Sequence, residues 1–205
     1  MEEIVLNPDR ELSEDVLVLG LLVNGRTTLD DFKFTDRIRA FAGQLQELGL
    51  KVEEKGSNTI LTGVGFGYKV PALLHIPESD NAMSLLFALA SKDTETLYSA
   101  TGSDSDLKRA KAFLSDVFGV KVENESDSEA GKTISFHFEH VLPLLKETRE
   151  GCIPYLAKNA VLVNALVLGR TVEMEERSPV RSSFVEMLAY FGAQIQVQTT
   201  GMQEM

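Results

Sequence analysis

The sequence predicts an α/β (α+β) fold of three pseudosymmetric βαβαββ units packed around buried helices. Three observations predict it. Segments ending in Glu47-Leu48-Gly49-Leu50-Lys51-Val52-Glu53, Val117-Phe118-Gly119-Val120-Lys121-Val122-Glu123 and Tyr190-Phe191-Gly192-Ala193-Gln194-Ile195-Gln196 close alike. Ahead of each, the order helix, strand, helix, strand recurs. The three glycines recur at about 70 residues, too long for a solenoid repeat and suited to a supersecondary unit built three times. Third, one helix of each unit is apolar nearly all round, as a helix at the centre of a domain must be.

The first helix of each unit falls at residues 13–23, 81–90 and 156–168. Residues 16–19 and 21–23 are all Val or Leu, which leaves little polar face. A strand follows at 26–29, 94–98 and 170–174. The second helix of the first unit starts after Thr35, a fitting N-cap, and places Ile38, Phe41, Ala42, Leu45 and Leu48 on one stripe at helical spacing. In the second unit Leu107, Ala110, Phe113, Leu114 and Val117 do the same, and in the third Phe184, Val185, Leu188 and Phe191. Gly49, Gly119 and Gly192 suit the left-handed stop of such helices. After them, Leu50 with Val52 and Val120 with Val122 alternate as half-buried strands do, and 194–198 is the matching strand of the third unit. Residues 124–131 are polar and predict a hairpin tip in solvent.

A unit of about 70 residues has a marginal core alone, so one domain spanning 1–198 is predicted. Its units are about 4–70, 71–141 and 142–198, with 199–205 as a C-terminal tail.

The chain has 205 residues and a formal charge of −11. That charge opposes a nucleic-acid surface, which needs clustered Lys and Arg, and opposes anionic membranes for the same reason. The single Cys152 cannot form an internal disulfide, and residues 1–6 lack the basic and apolar regions of a signal peptide. The longest apolar run, 16–23, is broken by Gly20 and is too short to span a membrane. The expectation is an acidic cytoplasmic protein.

The repeats, together with Lys158-Asn159-Ala160-Val161-Leu162, Gly169-Arg170-Thr171-Val172 and Glu186-Met187-Leu188-Ala189-Tyr190-Phe191-Gly192-Ala193, resemble the enolpyruvyl transferase family. Residues 6–29 resemble that family's opening segment. The resemblance covers about residues 6–198 and implies one EPSP-synthase-like domain, where family members have two. It also implies transfer of the enolpyruvyl group of phosphoenolpyruvate to shikimate 3-phosphate, in aromatic amino-acid biosynthesis. The matching residues are mainly those of the fold.

The positions that would carry chemistry differ. The family's Ser-Lys-Ser falls on Asp9-Arg10-Glu11, and the Arg that follows it on the helix falls on Asp15. The phosphoenolpyruvate motif falls on Glu78-Ser79-Asp80-Asn81 and Ser84, without its glycines or Arg. In the third unit the Ser-Gln motif falls on Pro154 and Leu156, and Ser-Arg-Asp-His on Val180-Arg181-Ser182-Ser183. Arg10 and Arg181 are therefore the two substrate-binding candidates that the resemblance carries over. Salt bridges to neighbouring acids are the other reading of both. Helix N-termini favour anions through their free N–H groups and dipole. Here Asp9, Glu11, Glu14, Asp15, Glu78 and Asp80 occupy those ends and would repel a phosphorylated substrate. No catalytic residue, metal site or cofactor is assigned, and the chain alone is expected to be inactive.

Other residues of chemical interest read as structural. His137 and His140 lie three apart, on opposite faces of a strand, and read as a solvated strand end instead of zinc ligands. Cys152 reads as a small buried hydrophobe, and Glu173, Glu175 and Glu176 as a solvated face. Gly63-Val64-Gly65-Phe66-Gly67 leads into Pro71 without a helix, unlike a phosphate loop. Two functions stay open: half of an enolpyruvyl transferase completed by a partner domain or second copy, or a non-catalytic binding or assembly module.

Overall fold

A computed structural model describes residues 9–128, 131–138, 154–174 and 183–196. In chain order they form α1 (Arg10–Leu22), β1 (Asn24–Asp30), α2 (Asp36–Glu47), β2 (Lys51–Lys55) and β3 (Asn58–Val64). A short 3-10 turn (Gly65–Gly67) leads on to β4 (Leu73–His75), α3 (Asp80–Ala90), β5 (Tyr98–Thr101), α4 (Asp104–Phe118), β6 (Asn124–Ser128) and β7 (Gly131–Phe136). α5 (Tyr155–Val167) and α6 (Ser183–Tyr190) complete the described elements.

The strands make two sheets. One has the order β1-β3-β2 and is antiparallel throughout; the other runs β4-β5-β7-β6, with β4 parallel to β5 and the remaining pairs antiparallel. In both, the strand after the first helix pairs with the last strand of the segment, and the hairpin partner lies outside. The sheets are thus wired alike, as the repeated sequence predicts for the first two segments.

α1, α3 and α5 form the centre: α3 packs against both α1 and α5. From Leu17 to Leu22 every residue of α1 is buried, and so is every residue of α3 from Asn81 to Ala90. Burying each Leu, Val or Phe side chain contributes roughly 1.5–3 kcal/mol. α2 and α4 are the amphipathic partners, with the predicted stripe of Ile38, Phe41, Ala42, Leu45 and Leu48 buried. Phe87, Tyr98, Phe136 and Phe138 pack edge-to-face or stacked between α3 and its sheet.

Two glycines let α1 lie on β3. A Cβ on Gly63 would stand 2.1 Å from the Gly20 carbonyl oxygen and 2.3 Å from that of Val23. A Cβ on Gly20 would meet Leu61 Cδ1 at 2.5 Å. The Gly-rich stretch at 63–67 therefore serves packing. It also offers carbonyls: Lys92 Nζ donates to the oxygens of Phe66 (3.0 Å) and Tyr68 (2.6 Å). A phosphate loop would present N–H groups instead.

The glycine stops at 49, 119 and 192 all have positive φ. The amides of Leu50 and Ala193 reach back five residues to the Leu45 and Leu188 carbonyls, closing α2 and α6 in the Schellman manner.

Several strand boundaries differ from expectation. The stretch 94–97 is a turn, because Asp93 accepts from the Glu95 and Thr96 amides and the Thr96 hydroxyl; β5 starts at Tyr98. The polar stretch from Asn124 to Ser128, expected to be a loop, is edge strand β6. Ladder pairing with β7 outweighs its poor strand propensity, helped by Ser126–Thr133 at 2.5 Å and Lys111–Glu125 at 2.5 Å. Residues 170–174 and 194–196 form no strand. The Arg170 and Ala193 amides are spent on closing α5 and α6, through the Ala165 and Leu188 carbonyls.

Candidate functional site

The N-terminal ends of α1, α3 and α5 meet at one buried polar junction. α1 begins at the N-cap Asp9, whose side chain accepts from the Leu12 amide, and runs inward to Glu14 and Asp15. These two carboxylates are 1% and 0% exposed. α3 begins at the N-cap Ser79, whose hydroxyl accepts from the Ala82 amide at 3.4 Å and donates to Glu14 Oε2 at 2.8 Å. Asn81 Nδ2 donates to Asp15 Oδ1 at 2.9 Å and to the Glu11 carbonyl at 3.4 Å.

α5 completes the junction. Tyr155 donates its hydroxyl to Asp15 Oδ2 at 3.0 Å, and Asn159 Nδ2 reaches Asn81 Oδ1 at 3.5 Å. Asn159 is fully buried, and its Oδ1 has no donor among the described residues.

Burial dominates the electrostatics. It pushes Asp15 up to about 7, against the opposing hydrogen bonds from Asn81 and Tyr155. Burial also raises Glu14, opposed by Ser79, Asn81 and Arg10. The junction is rich in acceptors and short of positive charge, the reverse of what a phosphate or carboxylate ligand requires.

No family profile matches the chain. The 3-phosphoshikimate 1-carboxyvinyltransferase of Limosilactobacillus fermentum is 26% identical over 200 residues, 95% of this chain and 45% of that protein. The enzyme of the same name from Leuconostoc mesenteroides is 24% identical over 203 residues, again 45% of its length. In fold, an EPSP synthase of Acinetobacter baumannii superposes with a TM-score of 0.65 at 20% identity, over 93% of this chain and 43% of that one. The chain is similar to these enzymes over most of its own length. It spans about 45% of the curated relatives it matches.

Arg10 is at the outer lip of the junction, its side chain 45% exposed. Its Nε stands 3.9 Å from Glu14 Oε1, so the candidate cation is turned toward the chain's own acid. It also lines an open groove with Ser13, Thr35, Asp36 and Arg37. Arg181, the other candidate, lies outside the described residues. Cys152, His140, Glu175 and Glu176 lie outside them too. His137 pairs with Glu123, and Glu173 is exposed.

The acids expected at the α3 terminus are placed differently from the expectation. Glu78 pairs with Arg37 Nε at 2.8 Å, and Asp80 with Arg109, both facing outward. The inner positions belong to Ser79 and Asn81 instead. Tyr155 is a residue that sequence reasoning missed, and Asn159 enters it only as part of a fold-level motif. Their signal is a polar residue one helical turn from the next, on the otherwise apolar face of a central helix.

Proposed function

We propose that this chain is a non-catalytic EPSP-synthase-like module that binds or assembles with a partner and does not turn over phosphoenolpyruvate. One observation carries the reading: Glu14, Asp15, Ser79, Asn81 and Tyr155 hydrogen-bond one another where three central helix ends converge. A ligand carrying two phosphates or a carboxylate needs cations and free donors, together with an acid and a base for the proton transfers. The donors here are already used by the chain's own carboxylates. Among the described residues, no cation of the junction offsets these two acids to favour an anionic ligand: Arg10 is turned to Glu14.

Calorimetry of the chain with shikimate 3-phosphate, with and without phosphoenolpyruvate, tests this. No heat at millimolar ligand is expected. Micromolar binding would overturn the reading.

A second reading is half of an enolpyruvyl transferase, completed by another domain or chain. It is favoured by the coverage of the relatives, about 45% of their length. The exposed start of α1, Arg10 to Leu12, is the surface such a partner would meet. Cytoplasmic location is part of either reading; among the described residues no helix is long and apolar enough to cross a membrane.

A further inference from the structure

We propose that the third unit carries an open strand slot over α5, which takes an extended segment of a partner chain, six or seven residues long and apolar at alternate positions. The proposal rests on the reading of the chain as a module that assembles with a partner, and it names how that partner is held. In the two complete sheets the middle strand lies on a central helix. β3 sets Leu61 against Gly20 of α1, where an added Cβ would meet Leu61 Cδ1 at 2.5 Å. β7 sets Phe136 edge-on to Phe87 of α3, with ring centroids 5.7 Å apart. β3 has seven residues and β7 six, and each is paired on both sides.

Among the described residues no strand of this kind lies over α5. α1 is buried throughout from Leu17 to Leu22, and α3 from Asn81 to Ala90, whereas Leu162, Leu166 and Val167 of α5 stay half-buried. These three stand at i, i+4 and i+5, on one side of the helix. The side of α5 that a middle strand would cover is therefore apolar and incompletely sealed.

The flanks of the slot are already laid out as strands. After α5, Val172 and Met174 are half-buried while Thr171 and Glu173 are exposed. After α6, Ala193 and Ile195 are half-buried while Gln194 and Gln196 are exposed. That alternation is the period of a strand lying on a core, and Met174, Ala193 and Ile195 do pack against it. Yet among the described residues no backbone–backbone hydrogen bond forms at 171–174 or 194–196. β1 and β2 stand on either side of β3, and β5 and β6 on either side of β7. By the same wiring, both stretches lack the strand that would lie between them. An extended segment supplies ladder donors and acceptors to each flank and apolar side chains to α5, as in strand addition to an open sheet. The residues next in sequence to the second flank, 199–205, place Met202 and Met205 three apart, which a strand turns to opposite sides. The alternating segment is therefore assigned to another chain.

Amide hydrogen exchange of the full chain tests the slot, with two synthetic peptides as probes: the β7 sequence Gly131–Phe136 and the same peptide carrying Ile134→Pro. With the first peptide at about tenfold its Kd, exchange at 171–174 and 194–196 should slow by about tenfold, while β1–β3 should not change. The Pro peptide lacks a ladder donor and should have no effect. In the chain variant Ile195→Lys, which puts a charge on the inward side of one flank, the slowing should be lost. No slowing in the wild type, or equal slowing by the Pro peptide, would overturn the proposal. Slow exchange at both stretches before any peptide is added would overturn it too, because another segment of this chain would then be seated there. Shikimate 3-phosphate titrated into the same chain separates the two readings. Micromolar binding of it would overturn the non-catalytic reading, whereas a failed peptide without such binding overturns the slot alone.

Discussion

Asn81 Nδ2 stands 2.9 Å from Asp15 Oδ1, so the second residue of α3 holds a carboxylate buried in α1. This bond joins residues 66 apart in the chain and ties two segments that the sequence repeats. Around it, Glu14, Tyr155 and Asn159 come from helices that are otherwise largely apolar inward, and Ser79 from the N-cap of α3. The junction is therefore a structural lock, and under the proposed function it leaves no place for an anion.

Replacing Asn81 with Leu removes a donor to Asp15 and the acceptor for Asn159 in one step. Leaving such buried groups unsatisfied costs about 1–3 kcal/mol each. Urea unfolding should show a loss of that order, greater at pH 8 than at pH 5, because the Asn81 bond favours the ionised carboxylate. An unchanged midpoint at both values would mean that the bond does not contribute.

The sign of the pH dependence follows from Asp15. Its ordinary value is 3.8 and burial raises it to about 7, so the native chain keeps a proton that the unfolded chain releases. This contribution to stability is fully present below 3.8 and is lost as pH rises to about 7, at about 1.4 kcal/mol per pH unit. Asp15→Asn cannot lose it. The stability of that variant relative to wild type should therefore climb between pH 5 and 7 and stay level above. A flat difference across that range would show that Asp15 titrates as an ordinary acid.

Much of this architecture was legible in the sequence. Thr35, Gly49, Gly119 and the stripes of α2 and α4 obey local rules of capping and periodicity, and the central helices announced themselves by having no polar face. Strand boundaries were less legible, because pairing decides them: Asn124 to Ser128 has the composition of a loop and is a strand only because β7 lies beside it. The acids at the start of α1 were readable as residues of a helix end, though not the partners they bond. The roles of Asn81, Tyr155 and Asn159 were not, since each depends on which helix ends meet in space.

The glycines give a paired test of packing. Gly63→Ala would drive a Cβ into the Gly20 and Val23 carbonyls and should separate α1 from β3, unfolding the chain at a markedly lower urea concentration. Gly43→Ala, inside α2 with nothing within 4 Å of the added carbon, should stabilise by about 0.5–1 kcal/mol. Equal effects of the two substitutions would contradict the close approach of α1 and β3.

The most direct measurement is an amide NMR titration of the chain with shikimate 3-phosphate, following Ser79, Asn81, Ala82, Tyr155 and the first turn of α1. The self-filled junction predicts no saturable shift at any of these positions up to millimolar ligand. Saturable shifts centred on them at micromolar ligand would show that the three helix ends still form an open anion site.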